Sequence, residues 1–221
     1  MSKHSIEKVN CPKCGKESEF MVWDSVNTML DPELKEKVRS RDGLSFKCPA
    51  CGAVADADYG FLYHQMEDQM MIYYVHGQEE ADKVYEMFRG DSKISGIFEK
   101  GMKEYLYRIV LSRNEFREKL FIFDAGLDDR AIELIKVFYI AQVQKDNPEL
   151  HMDEIRFQTS EGGEMELVYL NEGQPIGHSS VERELYDIVM KEYIMKMPDI
   201  REDDIQIDYD WALRRVGELA E

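Results

Sequence analysis

No stretch of this sequence approaches the roughly 18 consecutive apolar residues that a membrane-spanning helix needs. Its longest apolar-leaning segment, AIELIKVFYIAQV at 131–143, is shorter and carries Glu133 and Lys136. The opening MSKHSIEKVN has no hydrophobic signal region, so the expectation is a cytoplasmic protein that is not exported. Positive charge is also scarce, with 28 Lys and Arg against 45 Asp and Glu and a net charge of −17. Residues 1–60 are near neutral, at −1, and the remainder carries −16. A field of that sign repels phosphate backbones and disfavours nucleic acid as a partner. The acidity reads first as a solubility device.

Several catalytic signatures are missing as well. There is no Gly-x-Ser-x-Gly elbow, and EGGEME at 161–166 lacks the Gly-Lys-Ser/Thr ending of a phosphate loop. His64, His76, His151 and His178 are scattered, without the His-x-x-x-His or His-Glu-x-x-His spacing of a metallopeptidase. Only four cysteines are present, and all fall in two copies of one phrase: CPKCG at 11–15 and CPACG at 48–52. A reducing cytoplasm makes disulfides a poor use for them and metal ligation a good one.

Zinc takes four tetrahedral ligands, and Cys-x-x-Cys turns are common structural donors because two intervening residues aim both sulfurs at one ion. Pro12 and Pro49 stiffen the start of each turn, and Gly15 and Gly52 permit the positive φ that such a turn needs at its end. Cys11, Cys14, Cys48 and Cys51 therefore form a complete site for one structural zinc per chain, closed to water and not catalytic. Iron in a rubredoxin-like four-thiolate site is the runner-up. Between the half-sites, SEFMVW (18–23) reads as a strand. DPELKEKVRSRDG (31–43) reads as a short helix with Asp31 as N-cap and Gly43 as its stop, and LSFK (44–47) as a second strand. The order describes a ribbon with a helix inserted between its arms.

From about Ile6 to Arg130 the chain resembles the CpXC domain family of bacteria and archaea. The resemblance rests on CPKCGKESEFMVWDSVN, DPELKEKV, FKCPACG, LYHQMED and YRIVLSRNEFREKLFIFDAGLDDRAIELIK, in that order. It implies a zinc-ribbon-like module fused to an α/β-type remainder. It supplies no activity, and no functional residue carries over beyond the four cysteines. One departure is Gln65-Met66 after LYH, where an acidic residue directly following the histidine is expected.

Beyond the ribbon, QMMIYYV (69–75) reads as a strand covered on both faces, and QEEADKVYEMF (78–88) as a helix. RGDSKISG (89–96) is the candidate linker. YLYRIVL (105–111) alternates as a strand. Ser112 and Glu115 form a capping box, and Gly126 ends the helix they open. LDDRAIELIKVFYIAQVQ (127–144) is apolar around most of its circumference, so it belongs at the centre of a core. A hairpin turning at Gly162-Gly163, a third strand after NEGQ, a helix over 180–198 stopped by Pro198 and a short helix around Trp211 complete the chain.

The reading is an α+β protein: a zinc-ribbon-like module at 5–76, a helix and linker at 77–96, and a mixed α/β domain at 97–221. Its expected role is binding of a protein partner, with self-association left open. EFREKLFIFDAGLDDR gathers Glu115, Glu118, Asp124, Asp128 and Asp129. An enzyme in the C-terminal domain using carboxylates such as Asp124, Asp128 and Asp129 is an alternative that requires those acids to line one pocket with at least one raised pKa. His64 is weighed as a base or second ligand against a packed histidine, and the thirteen methionines as core filling against an adaptable surface.

Overall fold

The computed structural model describes residues 2–40, 44–89, 105–160, 162–197 and 204–219. Gly43, Pro198, most of the 89–96 linker and the start of the acidic 201–208 loop lie outside them. The chain is α+β and divides into two compact units, Met1–Phe116 and Arg117–Glu221.

In the first unit, β1 (Lys3–Asn10) and β2 (Glu17–Asn27) form an antiparallel hairpin that closes at Asn10 and Glu17, so residues 11–16 are its loop. Two short strands, β3 (Phe46–Lys47) and β4 (Val54–Ala55), pair in the same manner and leave residues 48–53 as theirs. Each cysteine phrase is thus the tip of a hairpin. Between them lies α1 (Glu33–Arg39), which buries Leu34 and Val38. Asp31 does not cap α1 with its side chain. Pro32 takes a helical φ of −60° in the cap position, and the first turn closes through the backbone, Leu34 N–H to the Asp31 carbonyl at 3.0 Å.

The main sheet continues from β2 through β5 (Phe61–Gln65), β6 (Met70–Tyr74) and β7 (Leu106–Val110) in the order β1-β2-β5-β6-β7. The β2–β5 and β6–β7 pairs are parallel. β6 is flanked on both edges and nearly all its side chains are buried, which explains its continuous apolar sequence. The crossover from β6 to β7 contains α2 (Gln78–Arg89), whose Ala81 and Val84 are buried. Leu106–Val110 therefore returns the chain to the first unit after the 77–96 segment, and the division at Phe116 falls later than a start at 97.

That division lies inside α3 (Arg113–Asp124). At its start the Glu115 N–H donates to Ser112 Oγ at 3.1 Å, as the capping box requires. The Glu115 carboxylate reaches one residue further back than the box, to the Leu111 N–H at 2.8 Å. At its end Gly126 adopts φ +66°, with bonds from Gly126 N to Phe123 O and from Leu127 N to Ile122 O. This is a Schellman ending, and it turns the chain directly into the next helix.

The second unit is built around α4 (Asp129–Asp146), capped by the Asp128 carboxylate on the Arg130 N–H at 2.9 Å. Ala131, Ile132, Leu134 and Ile135 of α4 pack with Phe157, Leu167 and Tyr169 of a three-stranded antiparallel sheet. Its strands are β8 (Glu154–Thr159), β9 (Met165–Asn171) and β10 (Gln174–Val181), in the order β10-β9-β8. Gly163 at φ +81° serves the first turn, and Glu172-Gly173, at +50° and +72°, forms the two-residue loop of the second. Two further helices, α5 (Arg183–Glu192) and α6 (Tyr209–Leu219), complete the core with Val189, Trp211 and Ala212.

Candidate metal centre

The two hairpin tips meet. The sulfurs of Cys11, Cys14, Cys48 and Cys51 all lie within 4.8 Å of one another, with Cys11–Cys51 and Cys14–Cys48 each at 3.7 Å. A tetrahedron with metal–sulfur bonds of about 2.3 Å has edges of about 3.8 Å, so the tetrad has the size of a four-thiolate site. Both tips are built alike. Cys11 N–H donates to the Lys16 carbonyl at 3.0 Å and Gly15 N–H to the Cys11 carbonyl at 2.8 Å. In the second tip, Cys48 N–H donates to Ala53 O at 2.8 Å and Gly52 N–H to Cys48 O at 2.9 Å. Gly15 and Gly52 hold φ of +72° and +70°, the conformation for which glycine was expected.

The site has an inner and an outer side. Cys11 and Cys48 are 2% and 1% exposed and rest on Phe46, with Val9 and Phe20 packed behind. Phe20 meets Phe46 edge-to-face at 5.8 Å. Cys14 and Cys51 are exposed. In the tetrad without a metal, a hydrogen bond from the Cys51 backbone N–H leads in drawing the Cys48 thiol down to about 6. For Cys14 the Lys16 backbone N–H acts in the same direction, but the neighbouring sulfurs and burial outweigh it and push the thiol up to about 11. Four soft donors at this spacing could hold one metal ion, and they fit a closed shell.

The other candidates do not converge. His64 sits on β5 with Nδ1 3.4 Å from Asn27 Nδ2 and Nε2 3.4 Å from the Tyr105 hydroxyl, and burial holds its pKa below the ordinary value. It is a packed histidine in a polar network. Beside it Gln65 is buried, accepting from the Tyr63 hydroxyl at 2.7 Å and from Arg39 at 3.1 Å while donating to Asp68. A glutamine can do both, where a carboxylate could only accept. His76 stacks on Tyr74, and His151 and His178 are exposed. Met70, Met71 and Met165 fill core, whereas Met21, Met29 and Met195 are exposed.

The five acids of EFREKLFIFDAGLDDR, among them the Asp124, Asp128 and Asp129 of the enzyme alternative, do not line one pocket. Glu115 caps α3, Asp124 is exposed, and Asp128 caps α4 and pairs with Arg130. Glu118 and Asp129 belong to a sealed cluster with Lys119, Glu133 and Lys136, none more than 5% exposed. Lys119 Nζ lies 3.0 Å from Asp129 and 3.1 Å from Glu133, and Lys136 Nζ 2.6 Å from Glu118 and 3.1 Å from Glu133. Burial pushes the Glu118 carboxyl up. Burial alone would lower Lys136, but the Glu118 and Glu133 carboxylates hold it above its ordinary range. The signal in the sequence was available: a helix apolar on nearly every side must bury whatever charges it carries, here Glu133 and Lys136 of AIELIK.

Among the described residues no helix is long and apolar enough to cross a membrane. No curated protein and no solved structure matches the chain. The family profile described as CpXC protein matches residues 9–136, a span that takes in both cysteine phrases, the whole five-stranded sheet from β2 onward, and α3. With that match covering more than half of its length, the chain belongs to the CpXC protein family.

Proposed function

We propose that this chain is a cytoplasmic zinc protein in which one structural ion ties two hairpin tips together, and that its first unit is a rigid platform for a protein partner. The observation that carries this reading is the four-sulfur tetrad at tetrahedral spacing, which leaves a bound ion no open position for substrate or water. The partner reading draws support from the β1–β2 hairpin. On one of its faces His4 meets Trp23 in a tilted ring contact at 4.9 Å and Ile6 pairs with Met21, and Ile6 and Met21 are 53% and 40% exposed. Adjacent exposed apolar side chains such as Ile6 and Met21 are a common mark of an interaction surface.

The first test is metal content and visible spectrum of chain produced without metal supplementation. One zinc per chain, colourless, with loss of metal in Cys48→Ser, is the expected result. A red protein containing iron would replace this reading with an electron carrier. A photo-crosslinker at position 6 in producing cells is expected to capture a discrete partner, and capture is expected to be lost when Met21→Asp is added. Turnover of a substrate by the purified chain would sink the platform role.

A further inference from the structure

Each 3.7 Å contact in the tetrad joins an exposed sulfur to a buried one, and each joins one hairpin tip to the other: Cys51 with Cys11, and Cys14 with Cys48. We propose that the tetrad is also a reversible oxidation site, at which hydroperoxides convert it into two disulfides between the tips, Cys11–Cys51 and Cys14–Cys48, with release of the metal. This rests on the metal-binding reading above.

The exposed sulfurs are the points of attack. An added Cβ on Gly15 or Gly52, the residues following Cys14 and Cys51, would meet nothing within 4 Å, so the outer side of each tip is open to a small oxidant. The Cys51 thiolate attacks a peroxide oxygen, the O–O bond breaks, and a sulfenic acid and hydroxide or alkoxide form. The Cys11 thiolate then attacks the sulfenic sulfur, the S–S bond forms, and hydroxide leaves. Two electrons pass from the sulfur pair to the peroxide. A second peroxide does the same at Cys14 and Cys48. All four donors are consumed, and the ion departs hydrated. Closing a pair needs a contraction of the sulfur–sulfur distance from 3.7 Å to about 2.05 Å.

The pairing decides the consequence. Bridges within a tip, Cys11–Cys14 and Cys48–Cys51, would leave the two hairpins unlinked once the metal had gone. Bridges between tips keep Cys11 and Cys48 seated on Phe46 and replace the ionic cross-link by two covalent ones. The oxidised unit then stays closed without metal.

The test is titration of the zinc-loaded full chain with hydrogen peroxide, following zinc with a chelating dye, free thiols, and disulfide connectivity by peptide mapping. Trypsin cleavage after Lys13 separates Cys11 from Cys14, and fragmentation assigns each bridge. The expected result is one zinc released per two peroxides consumed, loss of all four thiols, and Cys11–Cys51 with Cys14–Cys48. A dithiol should then restore zinc binding. Cys51→Ser should retain only Cys14–Cys48. Bridges within the tips, or sulfinic acids without bridges, would overturn the proposal. If the chain binds no zinc, the metal reading fails, and mapping of the peroxide-treated metal-free chain still decides the pairing.

Discussion

Gly15 and Gly52 occupy left-handed backbone with open space where a side chain would begin, so a substitution there is penalised by conformation alone. For an L-residue that conformation costs about 1–2 kcal/mol. Gly15→Ala and Gly52→Ala are therefore each expected to weaken metal binding about tenfold in competition with a chromogenic chelator, since ~1.4 kcal/mol is a factor of ten. Gly15→Asn should lose less, because asparagine tolerates this region. His64 makes a pH-dependent contribution. Burial depresses its pKa in the fold, so below about 6.5 the unfolded chain takes up a proton that folded His64 refuses. Its contribution is present above that pH and is lost as pH falls through the folded value. Urea midpoints measured on both sides of that pH should fall with acidification, and His64→Gln should flatten the dependence.

At the level of elements, what could be read from the sequence was what its chemistry decides locally. The cysteine tips, the Ser112 cap, the Gly126 stop and the Asn-Glu-Gly-Gln turn each depend on residues a few positions apart, and each lies where its residues place it. Pairing across distance was not legible. Nothing in LYRIV distinguishes a partner in β6 from one in the strands that follow, and Ser25–Asn27 carries no mark of its parallel alignment with Leu62–His64. Helix α4 is a third case, because periodicity identifies its central place but not that three of its charges, Asp129, Glu133 and Lys136, pair with Lys119 and Glu118 of α3. Lys136→Met removes one ammonium from between two sealed carboxylates, and it is expected to destabilise the second unit by about 3–5 kcal/mol in urea unfolding. Adding Glu118→Gln should recover part of that loss, since the amide oxygen can still accept from the Phe157 N–H while one buried negative charge disappears.

Over the whole molecule, charge is distributed unevenly. Arg117–Glu221 holds 25 acidic and 12 basic side chains, which is −13 of the chain's −17. Self-repulsion of that size opposes compaction and is screened by salt. The melting temperature of the second unit is expected to rise with ionic strength in an inert salt, and a flat response would show that its local ion pairs already offset the excess. The first unit is nearer charge balance, and on the proposed metal-binding reading a chelator is expected to lower its thermal stability, as in zinc-dependent small domains.

The last strand of the first sheet also sets an order of assembly on the ribosome. β6 is an apolar strand whose second edge is closed only by β7, about 30 residues further along the chain. Synthesis at ~5–20 residues per second leaves an interval of seconds during which MMIYY has emerged and Leu106–Val110 has not. For that interval an apolar strand edge faces whatever is nearby, and edges of that kind recruit other strands. Both hairpin tips, by contrast, are complete by residue 55, so metal can lock the ribbon first and give the waiting edge a fixed scaffold. A metal ion bound at the tips during translation would thereby raise the share of newly made chain that escapes aggregation.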